Sequence, residues 1–206
     1  MTEKKLRVGV TGNIGAGKST FSKFLVDAGY PVINADREAK RILESDPVVK
    51  SRIKNVFGEK SYRNDQPDTE YLASLVFSDE KNQQKINSII HPVVINKINI
   101  LADELEKQSG IVFIEAALIY ESELHQFLDY VVLITSNAEL RLKRKAGAGM
   151  TAEDFRRRDA MQIPEQEKTK MADFVISNDG TLPEFKEKAE FLLKVLNSLV
   201  SVKNSG

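Results

Sequence analysis

Residues 12–19 read Gly-Asn-Ile-Gly-Ala-Gly-Lys-Ser, a match to the spacing G-x-x-x-x-G-K-[ST], and few octapeptides narrow the choice of fold as far. An apolar run, Leu6–Thr11, precedes it. After it Phe21, Phe24, Leu25 and Ala28 recur at helical spacing, and Gly29 supplies a stop. A buried strand, a glycine-rich turn and an amphipathic helix in that order begin an α/β layered fold. Glycines let successive backbone N–H groups face one anion, and the following helix adds the positive end of its dipole. The expected nucleotide contacts are therefore Gly12, Asn13, Ile14, Gly15, Ala16, Gly17, Lys18, Ser19 and Thr20. Lys18 is expected to neutralise the β- and γ-phosphates of ATP, Ser19 to ligate Mg²⁺ through its hydroxyl, and Thr20 to lie near the α-phosphate.

The rest of the chain continues the alternation. Short apolar runs at residues 31–34, Ile111–Glu115, Tyr130–Thr135 and 174–176 read as strands buried on both faces, hence a mainly parallel sheet covered by helices. Ser136 with Glu139, and Thr181 with Glu184, have the spacing of capping boxes that open helices. A last helix places Phe185, Ala189, Leu192, Leu193, Leu196 and Leu199 on one face. Two segments interrupt the pattern. Residues 46–110 read as a helical insertion with no convincing strand, its stripe broken at His91-Pro92, where the proline is expected to start a helix. Residues 144–171 are polar and dense in charge, with Gly147 and Gly149 at the entry, and read as a flap over a site.

Composition excludes several functions. The 206 residues carry 30 Lys and Arg against 30 Asp and Glu, a balance that does not suit charge-driven binding to nucleic acid or anionic membrane. With no cysteine, disulfides, thiolate metal sites and a cysteine nucleophile are out, and a reducing compartment fits. Two isolated histidines make a zinc site a poor reading. No stretch reaches the ~18 apolar residues of a membrane span, and the first residues lack a signal-peptide core. The expectation is a soluble, cytoplasmic protein with no nucleic-acid, membrane or visible protein partner.

A phosphate loop does not by itself choose between a kinase, a GTPase and a motor. The nearest string to a guanine reader, Asn96-Lys97-Ile98-Asn99, ends in the wrong residue and lies in a helical stretch. A small-molecule kinase needs an acceptor-side base, a carboxylate near the metal and cations for the transferring phosphoryl. Asp36 follows the second strand at the carboxyl edge of the sheet, where it can serve as base or metal ligand, or cap a helix over residues 37–43. Glu115 ends the third strand and can serve the metal side or the acceptor side, or be a solvated charge. Arg141, Lys143, Arg144 and Lys145 precede the flap and Arg156, Arg157 and Arg158 lie in it; such a run reads mostly as a solvated face, with one or two phosphate clamps. His125 reads as a surface residue, and His91 as structural or part of an acceptor pocket.

Six elements in order resemble the bacterial dephospho-CoA kinase family along nearly the whole chain. They are the loop at Val8–Thr20 and Val32-Ile33-Asn34-Ala35-Asp36; Ile90-His91-Pro92-Val93 and Ala117-Leu118-Ile119-Tyr120-Glu121; Arg158-Asp159-Ala160-Met161-Gln162 with Pro164 and Lys168; and the stretch from Ala172 to Gly180. The resemblance implies a three-layer P-loop kinase fold with a five-stranded parallel sheet. Its nucleotide-binding core would be residues 1–45, 111–143 and 172–206, with residues 46–110 as acceptor domain and 144–171 as lid. It further implies transfer of the ATP γ-phosphoryl to the ribose 3′-hydroxyl of dephospho-CoA, with Mg²⁺ as cofactor. Asp36 becomes the expected catalytic base, Arg144 an arginine near the phosphates, and Asn178 a residue near the adenine. Acceptor contacts are expected from Asp36, His91, Glu115 and Leu118. The chain departs from the family pattern at Asn34, where an acid is usual, at Ala117 in place of proline, and after Arg144, where a second arginine is often found. A nucleoside- or nucleotide-monophosphate kinase, or an ATP-gated binding protein, are the competing readings; Arg52 and Arg63 are the only arginines in the insertion that could grip an acceptor phosphate.

Overall fold

Each apolar run named above becomes a strand. In chain order the computed structural model, which describes residues 5–202, contains β1 (Leu6–Thr11), α1 (Lys18–Asp27), β2 (Val32–Asn34), α2 (Ala35–Ser45), α3 (Pro47–Phe57), β3 (Tyr62–Arg63), β4 (Gln66–Pro67), α4 (Thr69–Ser78) and α5 (Glu80–Leu105). Then follow β5 (Ile111–Glu115), β6 (Tyr130–Thr135), α6 (Ala138–Ala146), α7 (Ala152–Ala160), α8 (Glu165–Met171), β7 (Phe174–Ser177) and α9 (Leu182–Val202). The chain divides into two compact units, one of Met1–Asn34 with Leu101–Gly206 and one of Ala35–Ile100.

The first unit holds a five-stranded parallel sheet in the order β2-β5-β1-β6-β7. β1 is central: the connection from β1 leads to β2 on one side of it and that from β5 crosses to β6 on the other, so the loop after β1 lies at the crevice where open parallel sheets bind ligands. Val8, Val10, Phe113, Val132 and Ile134 of the sheet pack with Phe21 and Leu25 of α1 and with Phe185, Ala189, Leu192 and Leu196 of α9. Phe21 and Phe185 meet with ring centroids 5.5 Å apart. Each such fully buried side chain contributes about 2 kcal/mol of transfer free energy, which is what seats α1, and with it the loop, on the sheet. Gly29 carries φ 89° and its N–H bonds the Val26 carbonyl, so it stops α1 as expected.

The second unit is mainly helical. Asp46 caps α3 by accepting the Val48 and Val49 N–H groups, both at 2.9 Å, with Pro47 in the first turn. Two expectations fail here. The segment contains a hairpin, β3 with β4, turned by Asn64 and Asp65 at φ 49° and 66°, the backbone of a type I′ turn. Asn-Asp was the available signal, hidden because the flanking strands are two residues each. Pro92 does not start a helix but lies inside α5, which runs through it. Proline in a helix interior costs about 3 kcal/mol, and here buried Ile86, Ile89, Val94 and Ile98 on both sides of it outweigh that cost.

Candidate active site

Gly17 sits at φ 109° and serves as N-cap of α1 without a side-chain hydrogen bond, which leaves the first amides of the helix to an anion. A side chain at Gly17 would run into the Asn178 amide, and one at Gly15, at φ 80°, would approach the Arg141 carbonyl to 2.7 Å. The loop is therefore built from residues that allow it to be packed closely from outside. Lys18 folds back along it, its ammonium donating to the Gly12 carbonyl at 2.7 Å. Ala16 is fully buried, Asn13 nearly so, and Thr20 is exposed on the first turn of α1.

The carboxyl edge of the sheet adds a carboxylate. Asn34 of β2 and Val10 of β1 both pair with Glu115 of β5, which places the three in one row. Glu115 is 6% exposed; its Oε1 accepts the Ser19 hydroxyl at 3.0 Å and its Oε2 the Asn34 amide at 3.3 Å. Of the two roles open to Glu115, this geometry favours the metal side, beside the expected Mg²⁺ ligand. A hydroxyl and a carboxylate within hydrogen-bond reach are hard oxygen donors of the kind Mg²⁺ takes in phosphate sites, where phosphate and water oxygens complete its shell. Leu118 lies half-buried in the turn after β5, its carbonyl accepting the Ser122 hydroxyl at 2.6 Å.

Arg144 lies against the loop from the other side. Its guanidinium donates to the Asn178 carbonyl at 2.7 Å, to the Ser136 hydroxyl at 3.0 Å and to the Gly15 carbonyl at 3.4 Å. Asn178, expected near the adenine, uses its amide nitrogen to hold the Ala16 carbonyl at 2.8 Å, so it supports the loop itself. Ser136 does not form the expected box with Glu139: Asn137 caps α6 at 2.8 Å, and the Ser136 hydroxyl is turned inward to the Asp179 carboxylate at 2.9 Å. The Asn137 N–H, then Ser136 and Ser177, hold the Asp179 carboxyl below the usual carboxylate range. The Thr181–Glu184 box forms, with bonds of 2.7 and 3.4 Å.

The segment read as a flap is partly core. Phe155 is buried, and Lys168, 0% exposed, pairs with Glu121 at 2.9 Å. Arg141, read as part of a solvated run, is buried instead: it pairs with Asp159 at 2.6 Å, reaches the Ile14 carbonyl at 3.2 Å, and stands 5.6 Å over the Phe155 ring. Nothing in the local sequence marks it, since its partners lie on other elements. Arg156, Arg157 and Arg158 are exposed, Arg157 bonded to Asp154. His125 is half-buried rather than superficial, its ring 5.4 Å from that of Tyr120, whose hydroxyl is pushed up to about 12 by burial and then by Asp173 and Glu121.

The first unit thus gathers the loop, Ser19, Glu115, Arg144 and Asn178. Asp36 and His91 belong to the second unit. Asp36 is exposed in the first turn of α2, which begins at Ala35, so it is not the cap of a helix over residues 37–43. His91 is half-buried within α5.

A family model described as dephospho-CoA kinase matches residues 6–184. The dephospho-CoA kinase of Chlorobium luteolum is 36% identical over 196 residues, 92% of this chain and 90% of that protein. Among solved structures, the dephospho-CoA kinase from Campylobacter jejuni is 28% identical with a TM-score of 0.69, covering 96% of this chain and 98% of that one. Shikimate kinase from Acinetobacter baumannii has a TM-score of 0.56 at 17% identity, covering 95% of each chain, and shows the shared P-loop kinase fold alone. With the loop seated at the centre of a parallel sheet and the likeness running from end to end, the chain belongs to the dephospho-CoA kinase family and catalyses the ATP-dependent phosphorylation of dephospho-CoA, the last step of coenzyme A biosynthesis.

Proposed function

We propose that the phosphoryl acceptor is the ribose 3′-hydroxyl of dephospho-CoA, that Asp36 is its general base, and that Ser19 and Glu115 would hold the Mg²⁺ that accompanies ATP. One observation carries the reading: the buried Glu115 carboxylate lies against the Ser19 hydroxyl at 3.0 Å, on the side of the phosphate loop, which supports a metal-side place for it and leaves the acceptor side to another acid. Asp36, two residues after Asn34 and exposed in the first turn of α2, is the carboxylate suited to it. Its oxygen takes the hydroxyl proton as the bond from the 3′-oxygen to the γ-phosphorus forms and the bond from that phosphorus to the β–γ bridging oxygen breaks, which leaves ADP. Bound Mg²⁺ would offset charge on the β- and γ-phosphates. Lys18 and Arg144, both beside the loop, supply positive charge to the same phosphates.

Residues 144–171 act as the lid, 46–110 as the acceptor domain with His91 and Leu118 lining its site, and the reaction takes place in the cytoplasm. Among the described residues no helix is long and apolar enough to cross a membrane.

The test is Asp36→Asn. Because Asp36 is not the helix cap, the fold should hold while the base is lost. We expect ATP affinity unchanged, kcat lower by roughly 10²–10⁴, and in the parent a product phosphorylated at the 3′-oxygen by phosphorus NMR. A variant as active as the parent removes Asp36 from the mechanism; phosphate at another oxygen removes the 3′ assignment.

A further inference from the structure

The half-buried side chain of Gln162, just past α7, spans two loops that are far apart in the sequence. Its amide oxygen accepts the Ile14 N–H at 2.8 Å, and its amide nitrogen donates to the Ala117 carbonyl at 3.1 Å. Ile14 belongs to the phosphate loop and Ala117 to the turn immediately after the strand that ends in Glu115. Only one orientation of the amide satisfies both partners, since a flip would set N–H against N–H and oxygen against oxygen. We infer that Gln162 is a positioning residue for phosphoryl transfer, fixing the distance between the outer edge of the phosphate loop and the turn after β5.

The surroundings support that role, because Gln162 is itself held from both sides. Its backbone N–H bonds the Asp159 carbonyl at 3.1 Å. The Asp159 side chain takes the Arg141 guanidinium, which also reaches the Ile14 carbonyl, and the Asn13 amide at 3.3 Å. On the other side the Ile163 N–H donates to Glu121 at 2.9 Å, and Glu121 carries the buried Lys168. Both peptide groups of Ile14 are thus gripped from the α6–α7 side, its N–H by Gln162 and its carbonyl by Arg141. The Thr11 hydroxyl at the end of β1 lies 3.5 Å from the same Ala117 carbonyl, a longer contact beside the shorter one from Gln162. Transfer between bound groups depends on their separation so steeply that a displacement of about 1 Å can cost 10²-fold in rate.

Two variants of the full chain separate the two bonds. Gln162→Glu keeps an acceptor for Ile14 and loses the donor to Ala117; Gln162→Leu loses both. At a temperature well below unfolding, Gln162→Glu should bind ATP within about twofold of the parent while kcat falls about tenfold, whereas Gln162→Leu should lose kcat further and weaken ATP binding about fivefold. KM for dephospho-CoA should stay within twofold in both. A purely structural side chain predicts a lower Tm with kcat and ATP affinity intact, and that result overturns the inference, as does any outcome in which the two variants share the same constants. Should Gln162→Leu fail to fold, Gln162→Glu decides alone: unchanged kcat refutes the role.

Discussion

Asn34 stands where the family resemblance leads one to expect an acid, and its place beside Glu115 shows what an amide does there. A carboxylate there would sit about 3 Å from another buried carboxylate, and one of the two would have to hold a proton. The Asn34 amide instead donates to Oε2 of Glu115, whose other oxygen, Oε1, accepts the Ser19 hydroxyl. Removing the charge but not the shape tests what that oxygen is for. In Glu115→Gln we expect the Mg²⁺ concentration for half-maximal rate to rise about tenfold with KM for dephospho-CoA unchanged. A rise in acceptor KM at unaltered Mg²⁺ dependence would return Glu115 to the acceptor side, the other of the two roles open to it. Residue identities in the loop were legible because glycine spacing encodes a backbone shape. Arg141, Asp159 and Gln162 were not, because what matters about them is a partner more than a dozen residues away, and a charged side chain in a basic run looks the same buried or solvated.

Among the elements, α9 illustrates what periodicity does deliver. Its capping box and its apolar face are both readable in the letters, and both form. Leu196 is fully buried in that face, remote from the loop. Leu196→Ala should therefore cost 2–5 kcal/mol, seen as a Tm lower by roughly 5–15 °C, with kcat at 25 °C unchanged. A Tm within 2 °C of the parent would mean that α9 is not anchored there. Legibility fails at α5 and at the β3–β4 hairpin for opposite reasons. Helix-breaking chemistry at Pro92 is overruled by packing on either side of it, while the two-residue strands are too short to show any alternation. Ser136 fails for a third reason: a residue with capping chemistry was recruited to the carboxylate of Asp179, after β7, instead.

At the scale of the whole molecule, the segment from Arg144 to Met171 mixes anchors with exposed basic residues. Asp159, Gln162 and Lys168 are fastened, whereas Arg156–Arg158, like Lys143 just before the segment, are open to solvent. Without ligands, trypsin should cut first between Lys143 and Arg158 and spare the bond after Lys168; Mg-ATP with dephospho-CoA should slow that cut at least fivefold. First cleavage elsewhere, or an equal rate with ligands, would argue against a closing lid. The central place of β1 has one more consequence, for the making of the protein. β1 is translated first, yet its two partners begin only at Ile111 and Tyr130. While the ribosome extends the intervening residues, an apolar strand waits with both hydrogen-bonding edges unmatched, and the loop that follows it has no sheet to be seated on. Non-local parallel pairing of this kind is slow to nucleate and leaves the nascent chain open to aggregation and to chaperones. Capacity to hold nucleotide therefore arrives late in synthesis, in the same step that closes the sheet.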